Sequence, residues 1–130
     1  DVRDIIFEKE GLSENLKPDS LIIDHTTTSS DLPIEINESL NSKGIYFLDA
    51  PISGGQPGAE KGQLSIMVGG DKSIFDKYKF VLRPSSNFIK YLGPRGSGQL
   101  TKMVNQWNHH YHLKKDINLR SLHSRLEEEK

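Results

Sequence analysis

Four short apolar runs constrain the fold of this chain more than any other feature: Leu21-Ile22-Ile23, Ile45-Tyr46-Phe47-Leu48, Leu64 to Val68, and Phe88 to Leu92. Each has the length of a strand, and the first is continuously apolar in the way of a strand buried on both faces. Between the first two, Pro33 stands in the first turn of a helix whose Ile36 and Leu40 lie four apart, and Lys43-Gly44 ends it. After the third, Gly69-Gly70 breaks the strand and Asp71 can cap a helix. That helix carries the stripe Ile74, Phe75, Tyr78, Val81 and Leu82 and is stopped by Pro84. Ahead of them all, Val2, Ile5 and Ile6 share one face of a helix that Gly11 ends. Asp49 to Gly58 reads as loop from its glycine and proline content. Strands alternating with helices imply crossover units, hence an α/β fold with a largely parallel sheet and helices on its faces.

In such sheets ligands bind beyond the carboxyl ends of the strands. Asp24 to Ser30, Asp49 to Gly58 and Gly93 to Gly98 all fall there. Composition removes several alternatives. Seventeen Lys and Arg against eighteen Asp and Glu leave no surplus positive charge for a phosphate backbone or an anionic membrane, so neither nucleic acid nor membrane is an expected partner. The chain has no cysteine, which excludes disulfides, thiolate metal sites and thiol nucleophiles and suits a reducing cytoplasm.

The most informative stretch runs from Gly93 to Asn105, a glycine-rich turn opening a helix on which Lys102 and Asn105 share a face. Glycines let a ligand approach the backbone, and the free N–H groups of a first helical turn attract negative charge. A lysine one turn further in can donate a proton to an oxygen gaining negative charge and take one back as the amine, and partial burial lowers its pKa toward that range. An ordinary helix start with a solvated lysine has the same spacing. Ser53-Gly54-Gly55 offers a hydroxyl and two side-chain-free amides, a small nest for a carboxylate, although a tight turn after Pro51 reads identically. Thr26 and Thr27 can bond a ligand or cap the next helix. Asp24 and Asp49 stand at strand ends, where aspartates fix loops, and are left out of the catalytic set.

Taken in order, Asp24-His25-Thr26-Thr27, Asp49 through Gly55, Gly62-Gln63-Leu64 through Gly70, and Gly93 through Asn105 resemble the β-hydroxyacid dehydrogenase family, the group of 3-hydroxyisobutyrate dehydrogenase and tartronate semialdehyde reductase. The resemblance covers residues 1–106. It implies the second half of a doubly wound, Rossmann-like NAD- or NADP-binding domain, then the start of a long helix leading to an all-helical domain through which family members form homo-oligomers. It implies Ser53, Gly54 and Gly55 as the substrate-carboxylate loop, Lys102 as the catalytic acid/base, Asn105 as its substrate-orienting partner, and Thr27 as the contact near the nicotinamide. The implied activity is NAD(P)-dependent oxidoreduction of a short β-hydroxy acid of the 3-hydroxyisobutyrate or 2-hydroxy-3-oxopropionate type.

The departures from the family pattern are equally specific. No Gly-x-Gly-x-x-Gly turn is present, so cofactor binding is expected to be weak, and with Asp1 in place of an initiator Met the chain is expected to be an incomplete copy that is inactive alone. Ser30 stands where the family often has proline. From Trp107 to Lys130 an atypical polar tail replaces the apolar helix, as expected of a frameshift or, less economically, an internal deletion that would bring in the segment around Lys115. His109 and His112 can share a helix face there, but the neighbouring lysines repel a cation and no metal is expected. A different class of reading is a non-catalytic binding or assembly domain of the same fold, which loss of the lysine would favour; Lys102 is present.

Overall fold

The computed structural model describes residues 1–110. Its elements run α1 (Val2–Phe7), α2 (Leu12–Asn15), β1 (Leu21–Asp24), α3 (Asp31–Asn41), β2 (Tyr46–Asp49), β3 (Ile52–Ser53), α4 (Gly55–Glu60), β4 (Leu64–Gly69), α5 (Lys72–Tyr78), two 3-10 turns over 79–81 and 83–85, β5 (Ser86–Gly93) and α6 (Ser97–His110). The expected tail from residue 111 onward, with His112 and Lys115, lies outside the described residues, as does the side chain of His109. Helix α6 itself continues past residue 106 to His110.

The sheet is mostly parallel. β1 pairs β2 and β4 pairs β5 in parallel, with α3 and α5 as the crossovers. The joint between these two units is antiparallel, with Asp49 opposite Gly69, Ile52 opposite Ile66 and Ser53 opposite Ser65. These pairs share one register, so β2 and β3 form a single ribbon. Its first half lies beside β1 and its second half turns back on β4 as a hairpin. A six-residue α4 cannot carry the chain across the sheet face as a crossover does, so the ribbon reverses instead.

Side chains alternate across the ribbon. Leu48 and Ala50 pack with Ile66, Val68, Ile74, Phe75 and Leu82 on the α5 face, whereas Ile45 and Phe47 pack with Ile6, Ile36 and Leu40 on the α1 and α3 face. Phe75 also stacks on Tyr91 at 5.4 Å between ring centres. Asp71 caps α5 as read from the sequence, accepting from the Ser73 and Ile74 N–H groups.

Four local expectations need correction. The segment Asp49 to Gly58 is not all loop: it contains β3 and the start of α4. Gly54 at φ 130° turns the chain there, Pro57 sits early enough in α4 to need no N–H, and Gln56 donates to Glu60 across one turn. Leu21 to Ile23 are only half-buried, because β1 has a single neighbouring strand among the described residues. Ile5 is 63% exposed while Ile6 is fully buried, so the apolar face of α1 is narrower than its spacing suggests. Helix α5 ends at Tyr78, six residues before Pro84, and the 3-10 turns that follow leave Val81 exposed while Leu82 enters the core.

Candidate functional site

The reversal of the ribbon places four strand ends in one row. Asp24 is opposite Asp49, Asp49 opposite Gly69, and Gly69 opposite Gly93. An antiparallel joint ordinarily sends strand ends to opposite edges, but here β2 and β4 overlap through their carboxyl ends. All three polar segments found in the sequence therefore leave the sheet along the same line.

Helix α6 starts on this row. Asp49, with no exposed surface, accepts the N–H of Gly96 at 2.9 Å and of Gln99 at 3.1 Å through its two carboxylate oxygens. The anion expected at the free N–H groups of this helix is thus supplied by the chain itself. Burial raises the Asp49 pKa above the usual carboxylate value, against the lowering effect of the backbone N–H groups. The glycines likewise admit protein rather than ligand. A Cβ on Gly98 would lie 2.5 Å from the Met67 carbonyl oxygen, and one on Gly96 would collide with the Ser30 carbonyl oxygen. The reading of these glycines as open to an incoming ligand is corrected accordingly: they seat α6 against the sheet. Asp24 accepts the N–H and hydroxyl of Thr26, and both aspartates fix loops.

Gln99 joins the helix to the threonine loop. Fully buried, it donates from Nε2 to the Thr26 carbonyl oxygen at 2.7 Å and accepts the Thr28 N–H on Oε1 at 3.0 Å. These two bonds bracket Thr27, which is exposed and lines a groove of ≈ 520 Å³ with Thr26, Thr28, Ser29 and the start of α1. Val2, Ile5 and Leu32 supply its apolar wall and the threonine loop its hydroxyl rim. Ile5, out of the core, belongs to this wall. The next helix does not take up the hydroxyls: α3 has Ser30 as N-cap without a side-chain bond, and the Thr28 hydroxyl turns to the Ser29 carbonyl oxygen.

Lys102 stands three residues beyond Gln99, about 4.5 Å further along the helix axis. It is half-buried, as is Asn105, and burial lowers the Lys102 pKa. Ser53 is half-buried at the end of β3, and Gly54 and Gly55 follow, exposed, at φ 130° and 60°. The His25 ring, through Nδ1 at 2.7 Å from the Ala50 carbonyl oxygen, ties the threonine loop to the ribbon ahead of Ser53. Gln99 and His25 were not singled out from the sequence. Gln99 sits inside the recognised glycine-lysine stretch, but its partners are more than seventy residues away in the chain.

Residues 1–93 match the family described as the NAD binding domain of 6-phosphogluconate dehydrogenase. An uncharacterized oxidoreductase of Shewanella frigidimarina is 45% identical over 106 residues, which span 82% of this chain and 36% of the relative. The 2-hydroxy-3-oxopropionate reductase of Escherichia coli is 36% identical over 108 residues, 81% of this chain and 36% of the reductase. Among solved structures, Mycobacterium tuberculosis 3-hydroxyisobutyrate dehydrogenase with L-serine superposes with a TM-score of 0.69 at 38% identity, covering 72% of this chain and 32% of that one. The chain therefore spans about a third of these relatives' length. Among the described residues, no helix is long and apolar enough to cross a membrane.

Proposed function

From the premise that this chain belongs to the β-hydroxyacid dehydrogenase family, as an NAD-binding domain of the 6-phosphogluconate dehydrogenase type, we propose that it carries the nicotinamide and substrate side of an NAD(P)-dependent oxidoreductase. Its substrate class is a short β-hydroxy acid of the 3-hydroxyisobutyrate or 2-hydroxy-3-oxopropionate type. The convergence of three strand-end segments on the Asp24, Asp49, Gly69 and Gly93 row, beneath a helix bearing a partly buried Lys102, carries this reading.

The groove along Thr26 to Ser29 fits the ribose and carboxamide end of a dinucleotide, since it is apolar on one wall, rimmed by hydroxyls, and of ordinary ligand-site volume. Its rim residue Thr27 would touch the cofactor near the nicotinamide. No Gly-x-Gly-x-x-Gly turn lies within the 130 residues, so the pyrophosphate is not gripped by them and binding to this chain alone is weak. A bound nicotinamide would supply hydride-transfer chemistry at the carbon that bears the hydroxyl in the reduced acid and the carbonyl in the oxidised one. Lys102 handles the matching proton: its amine accepts the hydroxyl proton during oxidation, and its ammonium returns it to the carbonyl oxygen during reduction. A lysine whose burial lowers its pKa is closer to serving in both directions than a solvated one. Asn105, one turn on, orients the same oxygen, and the backbone amides at Gly54 and Gly55 with the Ser53 hydroxyl take the carboxylate.

The test is a graft of residues 1–106 in place of the matching segment of the Escherichia coli 2-hydroxy-3-oxopropionate reductase. The graft should reduce 2-hydroxy-3-oxopropionate with NADH or NADPH. Lys102→Met within it should lower kcat by about 10²–10⁴ with cofactor affinity retained. A soluble, cofactor-binding graft with no turnover, or turnover indifferent to Lys102→Met, refutes the proposal.

A further inference from the structure

We propose that Gln99 is a positioning residue that holds the cofactor-contacting loop and the proton-transferring helix in fixed relation, so that Thr27 and Lys102 act as one rigid unit; this rests on the roles proposed above. Three observations support it. Both polar atoms of the fully buried Gln99 side chain are bonded to the backbone on either side of Thr27, its Nε2 to the Thr26 carbonyl oxygen and its Oε1 to the Thr28 N–H. Its own N–H is held by Asp49 Oδ2 at 3.1 Å, so the residue that grips the loop is itself pinned to the sheet. Lys102 follows within one helical turn, too near for the helix to bend between them.

A primary amide suits this task as no other side chain does. The loop presents one acceptor, Thr26 O, and one donor, Thr28 N–H, and an amide offers one donor and one acceptor in a plane. A carboxylate keeps only the bond to Thr28, and an apolar side chain keeps neither. Asp24 holds the same loop from the opposite end through Thr26, so loss of Gln99 frees the loop from α6 without detaching it from β1.

The experiment uses the full 130-residue chain, isotopically labelled, titrated with reduced nicotinamide mononucleotide, a probe that does not require a pyrophosphate site. In the native chain the ligand should shift the Thr27 amide resonance and the Lys102 Cε resonance together, with one dissociation constant. In Gln99→Met the Thr27 shift should persist at weaker affinity while the Lys102 response is lost. Gln99→Glu, which keeps the Thr28 bond and disturbs packing less, should retain part of the Lys102 response. Amide exchange at Thr28 gives a ligand-free readout, with protection lost in Gln99→Met and kept in Gln99→Glu. If the native chain shows no shift at Thr27, the cofactor reading fails and takes this inference with it. If the native shifts occur and Gln99→Met leaves both responses coupled as before, only the role of Gln99 is overturned.

Discussion

Replacing Gly98 by alanine tests whether the start of α6 is seated by direct backbone contact. The new Cβ would lie 2.5 Å from the Met67 carbonyl oxygen, 2.8 Å from Asp49 Oδ2 and 2.9 Å from the Asp49 carbonyl oxygen. Two of these atoms belong to the main chain of the buried ribbon and β4, so no side chain can swing aside to make room. The first turn of α6 must lift, and overpacking of this kind costs about 1–3 kcal/mol. Lifting also stretches the bonds from Gly96 and Gln99 to the Asp49 carboxylate, and loss of one hydrogen bond to a charged group costs about 1.5–3 kcal/mol. Alanine returns about 1 kcal/mol through its helix propensity, which leaves a net loss of about 1.5–5 kcal/mol. Equilibrium urea denaturation reads this as a midpoint lowered by about 1 M or more at unchanged slope. Gly58→Ala is the control, because the nearest atom to its new Cβ is the flexible end of Leu64 at 3.3 Å. It should change stability by no more than about 0.5 kcal/mol. A Gly98→Ala chain as stable as Gly58→Ala refutes the close-approach argument.

Two further outcomes follow from titration. Because burial holds the Asp49 pKa above 3.8, its contribution to stability is full below the unfolded value and lost as pH rises through the folded one. The stability of the native chain relative to Asp49→Asn should therefore fall with rising pH above about 3.8, and parallel urea-midpoint profiles contradict this. At Asp71 the bonds from the Ser73 hydroxyl and the Ile74 N–H lower the pKa, so the sign reverses: the benefit is present above the unfolded value and lost as pH falls through the folded one. Asp71→Ala should cost about 1 kcal/mol at neutral pH and progressively less in acid, a difference the same denaturation series measures.

Much of the layered fold was legible in the chain because its causes are local. Leu21 to Ile23 and Leu64 to Val68 have the length and apolarity of strands, and Ile36 with Leu40 or Ile74 with Phe75 mark helix faces by spacing alone. The family was legible for the same reason: the order and spacing of the Asp24, Ser53, Gly69 and Lys102 segments are properties of the linear text. Hidden from it was the short α4, whose Gly-Gln-Pro-Gly start opposes helix formation and which buries none of its residues, so no apolar spacing marks it. Hidden too was the antiparallel joint, because strand direction is set by where the connection can pack and not by the strand's own residues.

The same division runs through the candidate site. Sequence alone determined which groups are available, a lysine and an asparagine on one helix face, a Ser-Gly-Gly turn and a threonine loop, each at the carboxyl end of a strand or just beyond it. Only the tertiary structure decided what they face. It put the Asp49 carboxylate where an external anion was expected, pressed Gly96 and Gly98 against backbone, and gave the amide of Gln99 to the loop around Thr27. The physical reason is that composition fixes a group's charge and hydrogen-bonding capacity, whereas which partner uses that capacity depends on atoms brought together from 50 to 73 residues away.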